Sequence, residues 1–74
     1  MTKLPVVSGA NLIKALRGLG YYVRDQQGSH IHLRHPVRPP LTIPNHREIA
    51  RGTLRAIVRQ AGLTVEELVE SLHQ

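Results

Sequence analysis

The sequence contains no cysteine, no tryptophan and no phenylalanine, and two tyrosines are its whole aromatic complement. Without cysteine there is no disulfide framework, no thiolate zinc site and no cysteine nucleophile, and a reducing cytoplasm fits. Adjacent Tyr21 and Tyr22 do not make a multi-aromatic platform for stacking single strands. No apolar run approaches the ~18 residues of a membrane span, and no signal-peptide pattern opens the chain, so a cytoplasmic location is expected. Repeats, low-complexity tracts and linkers are also missing, and one domain spanning 1–74 is expected. A chain this short buries only ~60% of its unfolded surface. A core of that size supports roughly 3–5 kcal/mol, which argues against a metabolic enzyme built around a deep substrate cavity. Hydrophobic residues make up 41%, as in an ordinary folded domain.

Acidic residues are scarce where basic ones are dense. All ten Lys and Arg lie within residues 1–60, against only Asp25 and Glu48, a balance of +8. Residues 61–74 carry Glu66, Glu67 and Glu70 and no Lys or Arg, a balance of −3. The basic segment is an electrostatic footprint for a polyanion. Nucleic acid is the first candidate, an acidic protein the second and an anionic membrane the third.

Hydrophobic spacing predicts an α-β-β-β-α-α order. Ser8 caps a first helix over about 8–19, with Leu12, Ile13, Leu16 and Leu19 at helical spacing and Gly20 ending it. Tyr21–Asp25 is β-prone, Ser29–His35 alternates, and Leu41-Thr42-Ile43 between Pro40 and Pro44 is a short third strand. Thr53–Ala61 forms a second helix with Leu54, Ile57, Val58 and Ala61 inward, stopped by Gly62. Thr64-Val65-Glu66-Glu67 is a capping box opening a third helix, with Leu68 and Leu72 inward. A three-stranded antiparallel sheet with helices on one face, an α+β fold, satisfies this order with short connections.

Alternation assigns the faces. Ile31 and Leu33 point at the helices, which sends His30, His32 and Arg34 to the open face. In the first strand Tyr21 and Val23 point in, Tyr22 and Arg24 out. Residues directly opposite share a face, so Val23 must pair with Ile31, which requires a three-residue loop, Gln26-Gln27-Gly28, closed by Asp25 opposite Ser29. Arg24 then stands opposite His30, and Tyr22 opposite His32.

The chemistry-bearing stretch is Gly28-Ser29-His30-Ile31-His32-Leu33-Arg34-His35. Its exposed histidines and arginine allow three readings: a basic surface that only contacts phosphate, a metal site at His30-x-His32, or histidine acid/base catalysis near neutral pH. Arg51, Arg55 and Arg59, spaced by four, line one helix face and form either an ordinary solvated face or a cationic rail for phosphates. The free N–H groups at Gly52-Thr53 suit an anion. Lys14 and Arg17 add to the field. His46, in the loop after Pro44, reads as a turn residue or as a second titrating group.

The chain resembles the HicA toxins, small RNA-cleaving proteins of toxin–antitoxin pairs. The resemblance runs from Ser8-Gly9 and Leu12 through Gly20-Tyr21, Gly28-Ser29-His30, Arg34-His35-Pro36, Thr42-Ile43-Pro44 and His46. It continues through Gly52-Thr53-Leu54-Arg55, Ile57 and Gln60-Ala61-Gly62-Leu63 to Glu66-Glu67. It implies a fold like a double-stranded-RNA-binding domain and a metal-independent endoribonuclease acting on mRNA as the toxin of a type II system. It implies His30 as the catalytic acid or base, no cofactor, and inhibition by a HicB-like antitoxin. Asp25 stands where members often carry Arg, and Arg24 comes one residue early. The residues expected along the RNA are Arg24, Ser29, His32, Arg34, Lys14, Arg51, Arg55 and Arg59, with His46 as a second proton-transfer candidate. The rival expectation is a non-catalytic RNA-binding module of the same fold.

Overall fold

The computed structural model describes residues 3–73. Six elements follow in the order α1 (Gly9–Gly18), β1 (Tyr22–Gln27), β2 (His30–Arg34), β3 (Leu41–Pro44), α2 (Arg51–Ala61) and α3 (Val65–Leu72). The strands form one antiparallel sheet in the order β1-β2-β3. This is the α+β, double-stranded-RNA-binding-domain-like layout expected from the sequence.

Alternation decides which sheet face is buried. Ile31 and Leu33 of β2, with Leu41 and Ile43 of β3, join Leu12, Leu16, Leu54, Ile57, Val58, Ala61 and Leu68 in one buried cluster. Each fully buried Leu or Ile contributes on the order of 1.5–3 kcal/mol by leaving water. The opposite face of β2, with His30, His32 and Arg34, carries no helix and is open or half-buried.

Local signals account for most element ends. The Ser8 hydroxyl accepts from Asn11 N–H at 3.1 Å and starts α1. Thr64 and Glu67 form the reciprocal capping box at α3. α2 ends at Gly62, as expected. It begins at Arg51, two residues before the expected Thr53, because Leu54 N–H already bonds to the Ala50 carbonyl at 2.9 Å. Ala50 makes no side-chain capping bond, so nothing in the residue types marks that start.

The β1–β2 hairpin departs from the expected register. Gln27 pairs with His30, so the turn is the two-residue Gly28-Ser29 and not a three-residue loop. Gly28 has φ +60° and Ser29 has no positive φ, the pattern of a type II′ turn with glycine first. Gln26 pairs with Ile31 and Asp25 with His32; Val23 pairs with Leu33 instead of Ile31, and Tyr22 with Arg34 instead of His32. The parity conflict is absorbed by a bulge between Val23 and Asp25, where Arg24 is the extra residue. Arg24 is therefore not opposite His30, and Asp25 does not close the loop.

The β2–β3 loop is pinned by polar side chains. His35 Nε2 meets the Leu19 carbonyl at 2.9 Å, and His35 Nδ1 accepts from Val37 and Arg38 N–H at 3.1 Å each. That pattern places the ring proton on Nε2. Arg38 donates to the Ala61 carbonyl at 2.9 Å, satisfying the C-terminal end of α2, and Gln60 donates to the Pro40 carbonyl. The buried Tyr21 ring packs 4.7 Å from His35, and its hydroxyl donates to the Pro39 carbonyl. Burial pushes the Tyr21 hydroxyl above its ordinary pKa, with the Arg38 charge opposing. His35 and Arg38 thus belong to the scaffold.

Candidate active site

His30 opens β2, immediately after the Gly28-Ser29 turn, and its side chain is exposed on the open face. Its strand neighbours there are Gln27 on β1 and Pro44 on β3. Beyond β3 the open face meets the N-terminal end of α2. A cleft of about 380 Å³ lies at that junction, lined by His30, Thr42, Pro44, His46, Ala50 and Thr53. The structure therefore brings His30 and His46 together from separate parts of the chain.

His46 is placed by backbone contacts. Gly9 N–H bonds to the His46 carbonyl at 2.8 Å, and Asn45 N–H bonds to the Ser29 carbonyl at 2.6 Å. The latter ties the His46 loop to the turn that carries His30. α1 approaches so closely that a Cβ on Gly9 would lie 2.4 Å from the Pro44 carbonyl oxygen. Only a residue without a side chain fits there.

The N-terminal end of α2 contributes a second feature. The first N–H groups of a helix have no intrahelical acceptor, and here no side chain caps them. Ala50 and Thr53 line the cleft, so these donors and the positive end of the helix dipole stand beside His30. Arg51, at the start of the Arg51/Arg55/Arg59 row, sits at the same end, and all three side chains are exposed.

The other half of the open face centres on β1. Asp25 Oδ1 lies 2.5 Å from His32 Nδ1, and Asp25 Oδ2 lies 3.7 Å from Arg24 Nε. The His32 hydrogen bond, reinforced by the charges of Arg24 and Arg34, holds the Asp25 carboxyl below the ordinary carboxylate pKa. Sequence reasoning missed Asp25 as a site residue because a regular ladder turns it away from His32. The available signal was the Gly28-Ser29 dipeptide, itself a two-residue hairpin signal, which requires a bulge if Val23 is to lie opposite Leu33.

The remaining expected residues divide. Arg34 lies on the open face four positions along β2 from His30, ~13 Å away at the strand rise. Arg24 stands at the bulge beside Asp25. Ser29 is exposed within the turn. Lys14 does not join this face: it lines a different cleft, between α1, the segment before it and α3. Among the described residues no three His, Asp or Glu side chains gather as a metal-holding group. No described helix is long and apolar enough to cross a membrane.

Comparison with protein families adds one match. The family described as the HicA toxin of bacterial toxin–antitoxin systems matches residues 9–63 of the 74-residue chain. The matched span includes the Gly28-Ser29 turn, His30, His46 and all of α2. No curated protein matches the chain.

Proposed function

The chain belongs to the HicA toxin family of bacterial toxin–antitoxin systems, and from that premise we propose that it is a metal-independent endoribonuclease that cleaves mRNA, with His30 as its proton-transfer residue. The observation that carries this reading is the cleft itself. An exposed histidine stands beside uncapped helix N–H groups and at the head of an arginine row, on a sheet face that no helix covers. The shortness of the chain is no obstacle, because RNA lies across an open face and needs no enclosing cavity.

The reaction is transfer of the phosphate to the adjacent 2′-OH. His30 donates or accepts a proton at one of the two ester oxygens, which contributes ~10²–10⁴-fold when a single imidazole is well placed. The free N–H groups at the start of α2 stabilise charge on the phosphate oxygens at His30. Arg34 and the Arg51/Arg55/Arg59 row hold flanking phosphates, as do Arg24 and the polar atoms of Ser29. A HicB-like antitoxin is the partner that restrains this activity.

A non-catalytic RNA-binding module would use the same fold and charge. It has no need of a histidine, a group largely neutral at pH 7, at the centre of its face. The separating experiment is cleavage of a short single-stranded RNA in excess EDTA by the wild type and by His30→Ala. Cleavage by the wild type alone supports the reading. RNA bound but uncut by the wild type supports the module.

A further inference from the structure

Transfer of phosphate to a 2′-OH moves two protons, and His30 accounts for one. We infer that His32, held by Asp25 across the β1–β2 bulge, is the second proton-transfer residue: its Nε2 takes the 2′-OH proton while His30 protonates the leaving 5′-oxygen. This rests on the reading of the chain as a His30-dependent ribonuclease and assigns the other half of the reaction.

Geometry supports the assignment in three ways. His30 and His32 are alternate residues of one strand, so both project from the open face, ~6.6 Å apart at the Cα. That spacing allows one phosphate between two imidazoles, each a hydrogen bond away. The Asp25 Oδ1–His32 Nδ1 contact of 2.5 Å fixes the tautomer. With the proton on Nδ1, Nε2 is left as an acceptor on a side chain that is 31% exposed on the open face. Finally, a carboxylate partner stabilises the imidazolium that forms when the base takes its proton. A carboxylate on an RNA-binding face otherwise repels phosphate, and here its charge is directed at His32 and Arg24.

His46 shares the His30 cleft but lacks these features: among the described residues no hydrogen bond orients its ring. Its place beside Ala50 and Thr53 suits contact with phosphate. Asp25 does not touch RNA in this scheme. It is a positioning residue.

The step balances without a co-reactant. The 2′-oxygen gives its proton to His32 Nε2 and attacks phosphorus. The bond from phosphorus to the 5′-oxygen breaks, and that oxygen takes the proton from His30. The products are a 2′,3′-cyclic phosphate and a 5′-hydroxyl, and both histidines re-equilibrate with solvent.

The charged and titratable groups facing His32 are Asp25 and Arg24 from β1 and His30 and Arg34 on β2; Thr42 faces it from β3 and is uncharged. The test is the pH profile of cleavage of a short single-stranded RNA by the full chain and four variants: His30→Ala, His32→Ala, Asp25→Asn and His46→Ala. His32→Ala should lower kcat ~10²-fold or more, erase the acid limb of the profile, and recover activity with added imidazole. Asp25→Asn should lower kcat with little change in KM, because the His32 ring loses the carboxylate that orients it. Combined with His32→Ala it should add no further loss. His46→Ala should raise KM more than it lowers kcat. A wild type that needs His30 but is indifferent to His32 overturns this inference and leaves the ribonuclease reading standing. Imidazole rescue of His46→Ala in place of His32→Ala also overturns it. A wild type that binds RNA without cutting it overturns both.

Discussion

The His35 ring occupies the space that a side chain on Gly20 would need: a Cβ there would lie 2.8 Å from His35 Nε2. Gly20 also has φ +102°, a conformation that L side chains rarely adopt. Space and backbone both require glycine, and together they let His35 clamp the end of α1 to the β2–β3 loop.

Gly20→Ala is therefore expected to destabilise the protein by about 1–3 kcal/mol, from strain and from displacing the ring. His35→Ala is expected to cost a similar amount, since it leaves Leu19, Val37 and Arg38 without a partner. Urea melts of both variants check this. His30→Ala, at an exposed position, should melt like the wild type. The two histidines of one short segment thus separate by assay, one in stability and one in activity.

Gly9→Ala makes a different prediction. The 2.4 Å approach is to a backbone carbonyl, which has no rotamer to escape into. α1 must shift away from β3, and the Gly9 N–H to His46 carbonyl bond must lengthen. Stability should fall by roughly 1–3 kcal/mol. Amide chemical shifts should change at His46 and Ser29 more than at the C-terminal end of α2.

The Arg51/Arg55/Arg59 row predicts a salt effect. If the row tracks phosphates, Arg55→Ala removes one contact. The slope of log affinity against log salt for a single-stranded RNA should then become shallower by ~0.7. The cleavage rate at saturating RNA should stay unchanged. An unaltered slope would mark the row as an ordinary solvated face. Titrating binding at several salt concentrations decides it.

Acid stability has a local origin at α3. The Glu67 carboxyl is held below its ordinary pKa, chiefly by the Thr64 backbone N–H and then by the Thr64 side chain. A carboxylate with a depressed folded pKa contributes stability above its unfolded pKa, near ~4.3, and loses it as pH falls through the folded value. Glu67→Gln, whose amide oxygen still accepts from Thr64, should be less stable at neutral pH. Its melting temperature should also fall less than the wild type's between about pH 5 and pH 3. Thermal melts across that window test the point.

Where burial enforces a pattern, the sequence was legible. Ile31 and Leu33 are buried as their alternation requires, and that alone placed His30 and His32 on the open face. Leu54, Ile57, Val58 and Ala61 turned inward, and the Thr64 box opened α3, because each signal is local. The β1 register was not legible. β1 is an edge strand with no buried residue, and Val23, expected inside, is 45% exposed. Nothing in its own pattern penalises a one-residue bulge, and the turn residues set the register instead. Asp25 reached His32 through that bulge. His46 reaches the His30 cleft because Pro44 pairs with His30 and Asn45 N–H bonds to the Ser29 carbonyl, a β2–β3 register that the residue types alone did not specify.

The central claim is that His30 breaks RNA. Its most direct test is the amount of 2′,3′-cyclic-phosphate product from a short single-stranded RNA incubated in excess EDTA with wild type or with His30→Ala of verified fold. The account predicts product from the wild type and a loss of ~100-fold or more in the variant. Equal product from both proteins would contradict it.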